Sequence, residues 1–269
     1  MALSPNVFKQ MTKLIAGSMS AGQYDVRLAK KLSEIEAAQR LRYKVLFKES
    51  GGRINREMLN TQREEDQWDD IAYHVIVIDR RKQDEIVGTV RLVSGHALEF
   101  DQNFYTEHAF DLDKLLGHYQ NTLELSRACV CPEGRGGAIL MLMWKFTMRF
   151  IQQNDYDVLF GCASFSGTDY HQHTEILSYL YDKHLAAPGL MPVARSEVES
   201  VNIKEFQVTP QPGKNRGQVP TLLRGYLKIG ARISDHAIID QKFNTTFVAI
   251  YIDTSQMFST NHVLVNKSV

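Results

Sequence analysis

Apolar and polar residues alternate from Tyr24 to Leu28 in the manner of a short strand. Ser33-Glu34-Ile35-Glu36 then reads as a capping box opening a helix that turns Ile35, Ala38, Leu41 and Val45 inward and ends near Gly51-Gly52. Arg40 and Arg42 lie on this helix, one of them at the boundary of its apolar face. Residues 53 to 70 have no period and predict a loop, with Glu64, Glu65, Asp66, Asp69 and Asp70 gathered around Trp68. Two apolar runs, Tyr73 to Ile78 and Ile86 to Val93, flank the polar turn Arg80 to Asp84 and predict an antiparallel hairpin.

A short helix near Leu112 to Leu116 and a strand through Leu123 to Val130 follow. After Pro132 and Arg135-Gly136-Gly137 a helix is predicted from Ala138 to Gln153. Its first two turns are apolar nearly all round, so burial on every side is expected. Asp157 to Ser164 reads as a further buried strand, and strand, Gly-rich turn, helix, strand forms a crossover unit with parallel strands. A helix at Thr174 to His184 leads into a loop-rich region holding five of the seven prolines, between Pro188 and Pro220. Thr246 to Ile252 is the last strand-like run. This reading divides the chain into a tail (1–22), a core (23–190) and an extension packed on the same domain (191–269).

Composition narrows the function classes. Lys plus Arg and Asp plus Glu number 31 each, so no global basic field points to nucleic acid. Between Lys204 and Arg232, however, six basic residues face one acidic residue, a local basic stretch. Three cysteines, Cys129, Cys131 and Cys162, in strand-like contexts predict reduced thiols and a cytoplasmic setting, and Cys129-Val130-Cys131 lacks the spacing of a zinc site. No apolar run reaches the roughly 20 residues of a membrane-spanning helix. Val7, Phe8, Met11, Leu14 and Ile15 near the start fit either a frayed tail or a helix lying on a membrane. Ser164 precedes no nucleophile elbow, and His171 and His173 have no third partner for a metal or a hydrolytic triad.

Arg135-Gly136-Gly137-Ala138 stands where the free amides of a helix N-terminus can hold a phosphate, or where a glycine pair only lets a buried helix pack tightly. Together with Leu123-Glu124-Leu125-Ser126-Arg127-Ala128-Cys129-Val130, this segment resembles the strand, turn and helix of the GNAT N-acyltransferases. It is most similar to the ornithine N-alpha-acyltransferase branch, with the acyl-homoserine lactone synthases as cousins. Further matches are Leu41 to Phe47, Val87 to Leu92, Leu159 to Asp169 and Leu222 to Ala231, in order across most of residues 24 to 250. Ala138 departs from the glycine that many acetyl-coenzyme A enzymes of this fold place there.

The resemblance implies an α/β fold, a central twisted mixed sheet with splayed parallel strands and flanking helices. It implies a 3-hydroxyacyl donor on acyl carrier protein, presented on its phosphopantetheine arm, and the alpha-amine of L-ornithine as acceptor. No bound cofactor is implied. Glu124 is the expected base and Arg127 its partner, although residues three apart share a face only on a bulged strand. Arg42 and Arg91 are expected to take the acceptor's carboxylate, and Asp66, Asp69 and Asp70 its cationic end. Arg135, Gly136, Gly137, Ala138, Ser164 and Phe165 would line the donor arm, and Lys214, Arg216, Arg224, Lys228 and Arg232 would dock the acidic carrier or anionic lipid. An amphiphilic product implies transient contact with the inner face of the bacterial membrane. A related N-acyl amino acid or signal synthase, or a carrier-binding module without catalysis, is the alternative reading.

Overall fold

The computed structural model describes residues 17–135, 137–206 and 219–259. The chain forms two units, one of residues up to Asp101 with Leu125–Asp155, the other of Gln102–Glu124 with the chain from Tyr156 onward. Both combine strands with flanking helices, the mixed α/β class expected from the sequence.

In the first unit the strands β1 (Met19–Ala21), β2 (Tyr24–Leu28), β3 (Tyr73–Asp79) and β4 (Glu85–Ser94) pair antiparallel in that order. Next to β4 runs β6 (Thr122–Val130), which lies in this unit from Leu125 onward. The short strand β5 (Phe110–Asp111) precedes it in the other unit. Every residue of β3 is buried, because both faces of the sheet are covered. On one face Ile76 and Ile78 pack against Ile35 and Ala38 of helix α1 (Leu32–Arg42). On the other, Tyr73 meets Phe150 of the long helix Ala138–Gln153, with ring centroids 5.2 Å apart. Each fully buried apolar side chain of this kind contributes about 1.5–3 kcal/mol.

Gly88 sits where the second helix comes closest. A Cβ there would lie 2.7 Å from Ile139 Cγ2 and 2.9 Å from Met143 Sδ. Gly88→Ala is therefore expected to cost about 1–3 kcal/mol through overpacking, read as a lower denaturant midpoint at unchanged slope.

Three expectations change. The helix α1 begins at Leu32, and its opening amides, those of Lys30 and Lys31, are taken by Glu34, so the cap lies upstream of the Ser33–Glu36 box. Arg27 grips the same carboxylate (2.7 and 3.0 Å) and, with those amides, holds it down at about 2 against the opposing effect of burial. The stretch at 53–70 is not all loop, since helix α2 (Arg56–Thr61) forms within it, capped by the Asn55 side chain on the Met58 amide (2.8 Å). After α3 (Asp113–His118), the long helix α4 (Ala138–Gln153) buries Ile139, Leu142, Met143, Phe146, Phe150 and Ile151 but leaves Met141 55% exposed. One helix offers one core-facing stripe, and an all-apolar first turn does not by itself bring packing partners to every side.

In the second unit β7 (Val158–Ser166) pairs along its whole length with β12 (Thr245–Asp253), followed by β11 (His236–Asp240) and β9 (Ser200–Asn202), all antiparallel. Helix α5 (Thr174–His184) matches the sequence expectation. The strand β8 (Val193–Ala194) pairs with β5, and β10 (Arg232–Ile233) joins β12 after helix α6 (Thr221–Lys228). The chain continues into α7 (Thr254–Ser259). Among the described residues no helix is long and apolar enough to cross a membrane. The apolar positions Val7 to Ile15 fall outside the described residues.

Candidate active site

Six charged side chains converge under α1 in the first unit. Arg42 comes from the last turn of α1, Arg91 from β4 and Arg127 from β6, while Glu64, Asp66 and Asp69 come from the segment between α2 and β3. Arg42, 1% exposed, grips Asp69 with both terminal nitrogens (2.8 and 2.5 Å) and pairs through Nε with Glu64 at 2.6 Å. Arg91 donates to Asp69 (3.0 Å), to Asp66 and to Ser126 Oγ (3.0 Å), and lies 5.8 Å from the centre of the Trp68 ring. Arg127 donates from Nε to Glu64 (2.9 Å) and from Nη2 to Asp66 (2.8 Å). Gln39 adds a bond to Asp69 at 3.0 Å.

Three guanidinium groups thus meet three carboxylates, which leaves the cluster formally neutral. Burying one such charge alone would be prohibitive, whereas a network with bidentate geometry offsets much of the desolvation cost. Burial by itself would raise Asp69, but the Arg42 bonds and the Arg42 and Arg91 charges outweigh it and hold the carboxyl well below its usual range. His74, the register partner of Arg91, donates from Nε2 to the Asp69 carbonyl (3.0 Å), and burial pushes its imidazolium pKa down, so the ring is neutral near pH 7. His74 Nδ1 and Arg91 Nη2 have no hydrogen-bond partner among the described residues.

The strand that carries Arg127 is not regular. Arg127 has φ +55° in mid-strand, a conformation costing a non-glycine residue on the order of 1 kcal/mol. Its consequence is visible at once: Ser126 and Arg127, which would point to opposite faces of a regular strand, both reach the same ionic cluster.

Glu124 stands at the end of the β6 segment that belongs to the second unit, 0% exposed. Its Oε1 accepts the amide of Thr106 (2.6 Å) and its Oε2 that of Tyr105 (3.2 Å), at the start of the 3₁₀ turn Thr106–His108. Two amides at one helical entrance fix the plane of the carboxylate and spend the donors that a turn leaves free. Phe104 and Phe160, edge to face at 4.9 Å, pack within the same unit.

Gly137 is the cap residue of α4, with φ +90° and ψ −20°, a conformation glycine adopts without penalty. Arg135 is exposed and tied to Glu49 (Nη2 to Oε2, 2.8 Å), Ala138 is exposed on the first turn, and Gly136 lies outside the described residues. Ser164 and Phe165 lie on β7, exposed and buried respectively, with the Phe165 and His173 ring centres 5.2 Å apart. Asp70 is exposed. Of the basic stretch, Arg224 and Lys228 are exposed on α6 and Arg232 on β10, while Lys214 and Arg216 lie outside the described residues.

Residues 41–145 match the model of the acetyltransferase (GNAT) domain. An L-ornithine N(alpha)-acyltransferase of Rhodobacter capsulatus is 34% identical over 243 residues, 87% of this chain and 91% of that relative. One of the same name from Agrobacterium fabrum is 31% identical, over 88% of this chain and 83% of the relative. The chain belongs to the L-ornithine N(alpha)-acyltransferase family. Membership makes it an acyltransferase and accounts for the motif order from Leu41 to Ala231. Among solved structures, FeeM, an N-acyl amino acid synthase from uncultured soil microbes, aligns over 91% of this chain and 96% of its own with 10% identity and a TM-score of 0.43.

Within this family frame the geometry offers a locked carboxylate, a glycine-capped turn and a neutral ionic cluster. Sequence reasoning placed Arg42, Arg91, Asp66 and Asp69 in one acceptor pocket, and the structure does bring them together, bound to one another. It did not single out Glu64, which ties Arg42 to Arg127, nor Ser126, His74 or Gln39. The usable signal for Glu64 was an acidic side chain in a loop dense with acids beside Trp68, and that pattern is shared by solvated loops. Burial pushes the Cys129 thiol up to about 12, which disfavours the thiolate form that a nucleophile needs.

Proposed function

We propose that this chain transfers a 3-hydroxyacyl group from acyl carrier protein to the alpha-amine of L-ornithine, forming lyso-ornithine lipid by direct aminolysis of the thioester. The observation that carries this reading is the shared name of relatives matched along nearly nine-tenths of the chain. Glu124 is the proposed base, acting directly or through water: its orientation is locked by two amides, which suits a group that must meet the amine in one geometry. Arg127, three residues on, is proposed to act with it as a positioning group, because its own side chain is anchored by Glu64 and Asp66.

In the acceptor site Arg42, Arg91 and Asp69 form the frame, and Asp66, whose side chain is 13% exposed, is the frame carboxylate nearest to offering an oxygen to the acceptor's ammonium group, with the exposed Asp70 as a second. For the donor, Arg135, Gly136, Gly137 and Ala138 would hold the phosphate of the pantetheine arm, and Ser164 and Phe165 its distal part. Arg224, Lys228 and Arg232, with Lys214 and Arg216, are proposed to meet the acidic carrier. The reaction would run in the cytoplasm with transient contact at the inner membrane face, where an amphiphilic product partitions.

Donor choice tests the reading. With ornithine saturating, thiol release from 3-hydroxyacyl carrier protein is expected to exceed that from the same acyl group on coenzyme A by at least about tenfold in kcat/KM, close to 1.4 kcal/mol of transition-state binding. Consumption of acetyl-coenzyme A with some other amine, the acyl carrier staying inert, would remove the lipid reading.

A further inference from the structure

We propose that the outer face of α4, with Met141, Lys145, Met148 and Arg149, seats the protein on an anionic lipid bilayer, an inference that deepens the membrane contact proposed above and rests on that reading. One stripe of α4 faces the core, through Ile139, Leu142, Met143, Phe146, Phe150 and Ile151. The other side carries two kinds of residue. Met141 is 55% exposed, and Leu140, Trp144 and Met148 are half-buried beside it. Lys145 and Arg149, one helical turn apart, are exposed on the same side.

The charge of this face decides its partner. None of the 16 residues of α4 is acidic, and neither cation has a carboxylate partner among the described residues. The nearest acids along the chain, Glu133 and Asp155, stand before and after the helix. Two cations of this kind among apolar side chains match a surface that is negative outside and apolar just beneath. An anionic bilayer has that layering. Lys and Arg lay their stems along apolar surface while their charges reach the phosphates, and Met141 and Trp144 would meet the boundary of the acyl chains. The acidic carrier has its proposed cations elsewhere, on α6 and β10 in the second unit.

The start of the chain brings the same chemistry to the same place. In the first unit β1 lies against α4. The segment leading into β1 falls outside the described residues up to Ala16, but its sequence holds Val7, Phe8, Met11, Leu14, Lys9 and Lys13, and the first acid of the chain is Asp25. Connectivity thus delivers a second basic, apolar and acid-free stretch to the side of α4. The helix also opens at Gly137, in the turn proposed to hold the donor's phosphate, so an acylated product would leave beside the phase that takes up its chain.

The test is flotation of the full chain, without substrates, on vesicles of phosphatidylcholine and of phosphatidylcholine mixed with phosphatidylglycerol. Binding is expected on the anionic vesicles only, and should weaken as salt screens the charges. The double variant Lys145→Glu, Arg149→Glu should lower the partition coefficient at least about tenfold, since each cation near an anionic surface contributes a factor of about five. Met141→Ser keeps both charges and should lower it about threefold or more; it carries the test if charge reversal disturbs the fold. In vesicle-free solution both variants should turn over acyl carrier and ornithine within about twofold of the parent. A parent enzyme that does not float with anionic vesicles, or variants that float as the parent does, would overturn the proposal. So would a raised KM for the acyl carrier with vesicle binding unchanged, which marks an acidic protein as the occupant. An enzyme that floats but releases no thiol with ornithine loses the lipid-forming reading and keeps this surface, whereas one that acylates ornithine and never floats loses only the surface.

Discussion

Glu124→Gln is expected to lower kcat by about 10²–10⁴-fold, the usual contribution of a positioned general base. The change keeps the volume but removes the acceptor capacity of one oxygen. Both oxygens now take amides, Thr106 at 2.6 Å and Tyr105 at 3.2 Å. A carboxamide must turn its NH₂ toward one of them, and a buried donor left facing a donor costs about 1–3 kcal/mol. Stability should therefore fall as well, and the kinetic defect has to be read where the variant is fully folded. Glu124→Asp separates the two effects, since it keeps both acceptors on a side chain one methylene shorter. If Glu124 is the base, this variant retains more activity than the Gln form but still loses about tenfold or more, because the carboxylate no longer reaches the amine in the same geometry. A Gln variant with kcat within twofold of the parent enzyme would show that the carboxylate is structural.

The second large effect is expected at Asp69. This carboxylate holds both terminal nitrogens of Arg42, one of Arg91, the Gln39 amide and, at 3.3 Å, the Asp66 backbone amide. Asp69→Asn removes the charge but keeps the shape, leaving three buried guanidinium groups against two carboxylates. Breaking a buried pair from one side costs about 3–5 kcal/mol, more than most single substitutions. The expected readout is a large fall in denaturant midpoint with an unchanged slope. Asp70→Asn, one residue along but exposed, should stay within about 0.5 kcal/mol. Equal, small effects at both positions would mean that the cluster does not hold this unit together.

How much of this was legible beforehand differs between elements for physical reasons. The β3–β4 hairpin, β7, α4 and α5 were readable because a buried element must repeat its apolar residues at its own period. That Arg40 or Arg42 stands at the boundary of the apolar face was readable from the inward positions Ile35, Ala38 and Leu41, but not that it is Arg42. The depth of its burial was not, because that depends on three carboxylates brought in by a segment with no period. Arg127 shows the limit most clearly: its positive φ sets where two neighbouring side chains go, and nothing about an arginine between Ser126 and Ala128 announces it. Glu124 was reached through the family motif. The Tyr105 and Thr106 amides that orient it come from a turn nearly twenty residues earlier, a relation the spacing of the chain does not encode. Met141 failed for the opposite reason, as an apolar residue whose exposure depends on what packs around the helix.

The most direct measurement is the acceptor profile. Purified enzyme would be given 3-hydroxyacyl carrier protein and, one at a time, ornithine, lysine, glutamine and other free amino acids, with thiol release followed and the product identified by mass spectrometry. The account predicts release with ornithine and a product acylated on the alpha-amine, with its side-chain amine still free. Release with glutamine or homoserine lactone precursors in preference to ornithine, or acylation of the side-chain amine, would contradict it.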